Sequence, residues 1–285
     1  MAVRTVVEAP DSRRGAGQSL RVIRVVLQRD LIRFAHDVSR AVAMFLQAVL
    51  WLFVVGGGFG GLMPAGAGGI RLETAIFPGV VAMTVIVTSI SSASSVVWDR
   101  EFGFLREMLV APVSRTSIVA GKVLSGTLLS AVQGAVLLLL AGLAGVPYHP
   151  LLMLELLALM TLAAFTLSAF GIMIATRVKG LESYLGVSQL AVMPLVFLSG
   201  ALFPVGNLPG WLSALSLVNP LTYAVDPMRQ AVFAYVDAPA SVRLMFNPGI
   251  SWFGWTVPVA LEIALVGGAG ALFAGLAVAR FRKVG

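Results

Sequence analysis

The 285-residue sequence contains no cysteine and only two histidines, His36 and His149, which lie far apart in the chain. The absence of cysteine excludes disulfides, thiolate metal ligands and a cysteine nucleophile, and we expect no histidine-based metal site either. Charged residues make up only 12% of the chain, whereas they make up about a quarter of a soluble domain. Hydrophobic residues account for 58%, with a mean hydropathy of +0.94. This composition excludes a soluble globule and predicts a polytopic membrane protein.

The sequence also lacks a phosphate-binding loop of the form GxxxxGK followed by Ser or Thr. The nearest stretch is Gly121-Lys122-Val123, and no glycine stands five positions before Gly121. We therefore expect no nucleotide site of this type, no catalytic residues and no cofactor bound by this chain. Any energy for work must come from another subunit.

Six apolar runs reach the length of about 20 helical residues that a bilayer requires. They predict an all-α integral membrane protein, built as a single domain over residues 1–285. Before the first run, residues 18–40 are typical of a basic amphipathic helix lying in the cytoplasmic interface against anionic lipid. The predicted spans are residues 41–62, 76–97, 123–145, 151–176, 184–204 and 256–279.

The distribution of basic residues predicts the orientation of these spans. Of the 20 Lys and Arg residues, 17 fall in segments 1–40, 98–122, 177–179 and 280–283. Because the chain changes sides at each predicted span, these four segments lie on the same side of the membrane. Only Arg71, Arg229 and Arg243 fall on the other side. Because basic residues accumulate in cytoplasmic loops, both termini are predicted to be cytoplasmic. The excess of positive charge therefore indicates topology rather than binding of nucleic acid.

A charged island, residues 98–122, separates the second and third predicted spans. Asp99, Arg100, Glu101, Arg106 and Glu107 fall within nine positions, so we expect the island to lie in water. An apolar stripe at i, i+3 and i+7, formed by Phe102, Leu105 and Leu109, predicts a helix that ends before Pro112. Such a helix either docks a partner protein or rests on lipid headgroups.

The outer segment, residues 204–255, is too apolar for a solvated loop and too rich in proline to span. We predict short helices at the outer interface, bounded by Pro209 and Pro220, with Trp211 and Tyr223 as anchors at headgroup level. The segment forms either an external lid or a plain interfacial anchor.

Glu155 and Glu262 are the two acidic residues inside predicted spans, each about five residues from an outer end. An acid within the membrane indicates a functional site, here a path for a cationic substrate. The alternative is that both side chains snorkel to the outer headgroups.

Two stretches resemble the paired signatures of ABC-2 type transporter permeases, especially the daunorubicin-resistance-like exporter branch. The first is WDREFGFLREMLVAPVSR in the charged island, followed by Lys122. The second is FLSGALFPVGNLPGWLSALSLVNPLTYAVDPMR, which enters the outer segment. The similarity extends to the length and six-span plan of the whole chain.

This resemblance implies a permease of the inner (plasma) membrane, paired with a second copy or a paralogue and seated on two ABC ATPase subunits that bind ATP and Mg. It implies export of a drug, a lipid or a lipid-linked glycan. It also assigns roles to two sets of residues. Coupling to the ATPase falls on Glu101, Phe102, Gly103, Phe104, Leu105, Arg106 and Glu107, and the outer gate falls on Pro204, Pro209, Trp211, Asn219, Pro220 and Tyr223. The alternatives from other classes are a lipid-modifying membrane enzyme and a non-transporting assembly factor.

Overall fold

The computed structural model describes residues 12–55, 58, 70–102, 114–201, 209–252 and 254–281. These residues are helical except for connections and one short hairpin, in which β1 (Ser251–Trp252) pairs antiparallel with β2 (Trp255–Thr256). A π-helical turn covers Trp51–Val55 and a 3₁₀ turn covers Ala141–Ala144. The helices are α1 (Ser12–His36), α2 (Val38–Leu50), α3 (Leu72–Ser92), α4 (Ser94–Glu101), α5 (Arg115–Leu138), α6 (Pro150–Ala175), α7 (Leu181–Leu198), α8 (Gly210–Val218), α9 (Thr222–Ala234), α10 (Ala240–Phe246) and α11 (Val259–Phe281).

Five stretches are long and apolar enough to cross a membrane: Leu72–Glu101, which joins α3 and α4, and the helices α5, α6, α7 and α11. They correspond to the last five predicted spans. The prediction of an all-α membrane protein is therefore confirmed, whereas the count of six spans stays a prediction. The first predicted span, 41–62, is described in part, with a short apolar helix over Phe45–Val54. Residues 56, 57 and 59–62 of that span lie outside the described residues.

The third predicted span, 123–145, is displaced along the chain. The helix begins at Arg115, with Ser114 as N-cap accepting a hydrogen bond from the Ser117 backbone N–H, and ends at Leu138. The sequence interpretation ended the island at Lys122 because an isolated charge is costly inside a span. In the structure Lys122 is neutralised by buried acids, so the helix continues through it.

The core forms where α3, α5 and α6 pack on one another, with α9 and α11 against α6. Small residues allow the close approach. A Cβ on Gly126 would lie 2.4 Å from Ser92 Oγ, and Ser89 and Ser130 share a hydrogen bond of 2.8 Å between α3 and α5. Van der Waals packing and hydrogen bonds between helices replace the hydrophobic effect inside a bilayer. The largest buried apolar side chains in this core include Phe77, Ile86, Leu137, Leu156 and Met160.

Helix α1 packs along α5. Val26 is buried in this contact, and a Cβ on Gly121 would lie 3.1 Å from Val26 Cβ. A helix is therefore present where an amphipathic one was predicted, but part of it docks on protein. A position on anionic lipid stays a prediction for its exposed face.

Candidate functional site

The end of α4 is the described part of the predicted coupling region. Glu101 Oε1 accepts a hydrogen bond of 2.9 Å from the backbone N–H of Leu181, the first residue of α7. A carboxylate at this position satisfies a free N–H and interacts favourably with the helix dipole. One residue earlier, Arg100 donates a hydrogen bond to the carbonyl of Val178. Both contacts tie the charged island to the connection between α6 and α7.

Phe102 is 61% exposed, and its ring stacks on Trp98 with centroids 4.5 Å apart. It is the last described residue before the gap at 103–113. The other predicted coupling residues, Gly103, Phe104, Leu105, Arg106 and Glu107, lie outside the described residues. Their role stays a prediction.

A buried network of charges joins α1, α4 and α5. Lys122 Nζ lies 3.0 Å from Asp30 Oδ2 and 2.7 Å from Asp99 Oδ2. It also donates to Ser95 Oγ at 3.1 Å. Arg29 Nη2 donates to Asp99 at 2.5 Å. The three central side chains are at most 7% exposed, and two acids with two bases make the network neutral.

For Asp99 and Lys122, which are 3% and 4% exposed, this network corrects the expectation that the charged island lies in water. A charge tolerates burial when opposite charges and hydrogen bonds replace its hydration. The sequence interpretation also missed Asp30, although a signal was available. Asp30 follows Ile23 by seven positions and Val26 by four, which places an acid on the apolar stripe of α1.

A cavity of about 220 Å³ opens beside this network, between α1, α4 and α5. Its wall includes Asp30, Lys122 and several serines. Arg33 lies at the same cavity, with its guanidinium carbon 4.8 Å from the centre of the Trp98 ring. The lining therefore combines charged and hydroxyl groups with the apolar side chains of Phe34, Trp98 and Leu129.

At the opposite end of α7, side chains of the outer segment bind the last carbonyls of that helix. Asn219 donates to the Leu195 carbonyl at 2.9 Å. The Thr222 hydroxyl lies 3.1 Å from the Leu198 carbonyl and 2.7 Å from the Ser216 carbonyl, and its single proton serves one of them at a time. Helix ends leave carbonyls without partners inside the helix, so these bonds act as a cap. Arg229, which is buried, extends the same pattern by donating to the Gly200 carbonyl.

The remaining predicted gate residues have differing environments. Trp211 is 68% exposed on α8, and its role as an anchor at headgroup level stays a prediction. Tyr223 is only 6% exposed. Its hydroxyl donates to the Leu217 carbonyl at 2.7 Å and accepts from Trp252 Nε1 at 2.9 Å. These bonds turn Tyr223 inward, so it lacks the exposed ring of a headgroup anchor, and its level in the membrane stays a prediction.

The prolines bound the short helices as predicted. Pro209 immediately precedes α8, whereas Pro220 lies in the turn between α8 and α9. Their missing N–H groups fit positions outside helix interiors. Pro204 lies outside the described residues.

The two predicted intramembrane acids are not equivalent. Glu155 is exposed on α6. Glu262, in the first turn of α11, is 0% exposed and faces Asp226 of α9. The sequence interpretation did not single out Asp226, which is 6% exposed and accepts a hydrogen bond of 2.7 Å from Gln230. Among the described residues, no group of three or more His, Asp or Glu side chains is placed to hold a metal ion.

Comparison with known proteins decides the family. The profile of the ABC-2 type transporter family matches residues 21–233. The chain belongs to this family. The recognition made from the two motifs is thus confirmed at family level, and the daunorubicin-resistance-like branch stays a prediction.

Relatives of this ABC-2 family member are named as permeases. The putative transport permease ycf38 of Cyanophora paradoxa is 30% identical over 212 residues, which cover 72% of each chain. The probable multidrug ABC transporter permease YbhR of Escherichia coli (strain K12) is 30% identical over 158 residues, covering 54% of this chain and 42% of YbhR. The inner membrane transport permease YhhJ of the same strain is 28% identical over 221 residues, covering 75% of this chain and 53% of YhhJ. The chain is therefore a membrane transport permease of the ABC-2 type.

Proposed function

We propose that this chain is the permease subunit of an ATP-driven exporter of hydrophobic or amphipathic compounds. Two ABC ATPase subunits bind ATP and Mg and dock on the charged island, and a second permease copy or a paralogue completes the assembly. The chain crosses the inner (plasma) membrane six times, with both termini cytoplasmic. Support for the transport role comes from the family and from relatives named as permeases.

The observation that carries this proposal is that both ends of α7 are attached to candidate functional segments. At its first residue, α7 is bound by Glu101 of the charged island. At its last turn, Asn219 and Thr222 of the outer segment bind its carbonyls. The helix is continuous between these two ends but contains Pro194, so a displacement at one end reaches the other through a helix that can bend at that proline. Movement of the docked ATPases thus reaches the outer gate through α7.

The substrate path forms the second part of the proposal. Glu155 contributes a carboxylate on the exposed face of α6, suited to a cationic group of the substrate. Glu262 lies beneath the outer segment, where it becomes accessible only if α9 moves away from α11. Both acids then line the exit when the outer gate opens.

Glu101→Ala tests the α7 connection in the assembled complex with its ATPase. Removing one exposed hydrogen bond to a helix N-terminus weakens the connection by about 1 kcal/mol. We expect substrate-stimulated ATP hydrolysis and export to fall several-fold together, while membrane abundance stays at the wild-type level.

Glu182→Ala is the matched control, because Glu182 is an exposed acid in the first turn of the same helix. It removes the same charge from the same helix end without removing the contact to α4. Equal losses of coupling in both variants would assign the effect to charge near the helix end. Turnover of a lipid by the isolated chain, without an ATPase, would instead support the membrane-enzyme alternative.

A further inference from the structure

Two acidic side chains meet inside the protein at the contact between α9 and α11. Glu262 is 0% exposed and Asp226 is 6% exposed, and their carboxyl groups face each other. Neither oxygen of Glu262 receives a hydrogen bond from an N–H or hydroxyl donor of the described residues. A buried carboxylate without donors is costly, because nothing replaces its lost hydration.

A shared proton resolves this arrangement. Two carboxylates in contact repel each other and cannot both be ionised in a buried site, whereas a carboxyl group donates a hydrogen bond to a neighbouring carboxylate. With one proton, the pair carries a single negative charge. Arg229, which is 5% exposed and interacts electrostatically with Asp226, balances that charge.

The other groups facing the pair fit a neutral cluster. Gln230 donates to Asp226, and the Tyr223 ring carries a neutral hydroxyl near Glu262. Burial raises the pKa of Asp226, and hydrogen bonds from Gln230, Glu262 and the Ile250 backbone, together with the charge of Arg229, oppose that rise. The contact thus favours the protonated pair while α9 stays on α11.

We propose that Asp226 and Glu262 form a one-proton site that holds the outer segment closed and releases its proton when α9 leaves α11. This inference rests on the proposed function for its meaning, since α9 belongs to the outer segment that would open for export. Opening hydrates both carboxyl groups, and each then ionises near its ordinary pKa. The proton leaves to external water.

The sign of the effect follows from linkage. A carboxyl group whose pKa is raised in the closed state stabilises that state at low pH and loses the effect as pH rises. Because opening releases one proton, the open fraction increases about tenfold per pH unit across the linked range. External alkalinity favours an open gate, and external acidity favours a closed one.

The test uses the permease alone and needs no ATPase. The chain has no cysteine, so Ala224→Cys places a single thiol on the buried face of α9. Its reaction with a membrane-impermeant maleimide is measured from outside over roughly pH 5 to 9, a range that includes raised carboxyl pKa values. The labelling rate of an exposed reporter, Ala214→Cys on α8, is measured over the same pH range. Dividing by this rate corrects for the greater ionisation of any thiol at higher pH.

We expect the corrected labelling rate to rise about tenfold per pH unit in part of this range. Glu262→Gln should remove the dependence, because an amide cannot share a proton. Asp237→Asn, an exposed acid of the same segment, should retain it. If the corrected labelling rate of Glu262→Gln rose with pH as steeply as that of the parent, the proposal would be overturned. A labelling rate that depended on added divalent cations in place of pH would overturn it too.

Infrared spectroscopy of the unaltered permease supplies a readout that does not depend on a variant folding. At neutral pH the shared proton should produce the C=O stretching band of a protonated carboxyl group, and Glu262→Gln should remove it. Absence of that band from the wild-type chain would refute the site. Neither measurement involves ATP or substrate, so these outcomes are separate from the success or failure of the exporter proposal.

Discussion

Replacing Lys122 tests whether the buried charge network holds α1 and α4 to α5. Lys122→Met keeps most of the apolar stem but removes the ammonium from between Asp30 and Asp99. Arg29 remains as the single base for two buried acids, and its side chain is 39% exposed. Leaving a buried charge without its partner costs about 3 to 5 kcal/mol. We expect the free energy of unfolding to fall by an amount in this range.

A double-mutant cycle in detergent-solubilised permease measures the network. Asp99→Asn alone leaves an excess positive charge, whereas Lys122→Met with Asp99→Asn restores neutrality with Arg29 and Asp30. The double variant should therefore be no less stable than Lys122→Met alone. Lys179→Met, at an exposed position, should change stability by less than about 0.5 kcal/mol. If the stability losses of Lys122→Met and Asp99→Asn sum to the loss of the double variant within about 0.5 kcal/mol, the four charges do not act as one network.

Two further predictions concern packing and topology. In Gly79→Ala the new Cβ would lie 1.8 Å from the carbonyl oxygen of Ala201, which follows α7, so this segment must shift at a cost of at least about 1 to 3 kcal/mol, measured by SDS unfolding. Gly268→Ala places a Cβ with nothing within 4 Å and should be neutral or stabilising. An equal loss of stability in both variants would contradict the packing argument. Reporter fusions should place the charged island and the C-terminus in the cytoplasm and the outer segment outside, and a cytoplasmic signal at Arg243 would refute the six-span topology. The cytoplasmic fusion points are Arg100, Lys179 and Gly285, and the external ones are Arg71, His149 and Arg243.

Local properties of the chain sufficed for the class, the family and most of the helices. Hydropathy over about 20 residues predicts spans because a lipid-exposed backbone must satisfy its own hydrogen bonds, and helices do so within one segment. The span predicted at 151–176 and the helix Pro150–Ala175 differ by one residue at each end. Pro209 and Pro220 likewise marked the ends of the short outer helices, since proline acts on its immediate neighbours, whereas Pro227 lies inside α9.

Whether an individual charge is buried depended on residues far away in the sequence. Lys122 and Asp30 are separated by 92 positions, and no local pattern pairs them. Glu155 and Glu262 have similar positions in their runs, yet only Glu262 meets α9 and is buried. The roles of Asn219 and Thr222 as caps of α7 also required the folded chain, because each binds a carbonyl 24 positions earlier.

The sequence by itself thus determined that the protein is a helical membrane permease of the ABC-2 type, because composition, hydropathy and motifs are properties of contiguous residues. The tertiary structure alone decided which charges are paired, which acid is buried and how α7 joins the charged island to the outer segment. The physical reason is that the cost of burying a polar group depends on the partners that packing brings to it. Those partners come from separate helices.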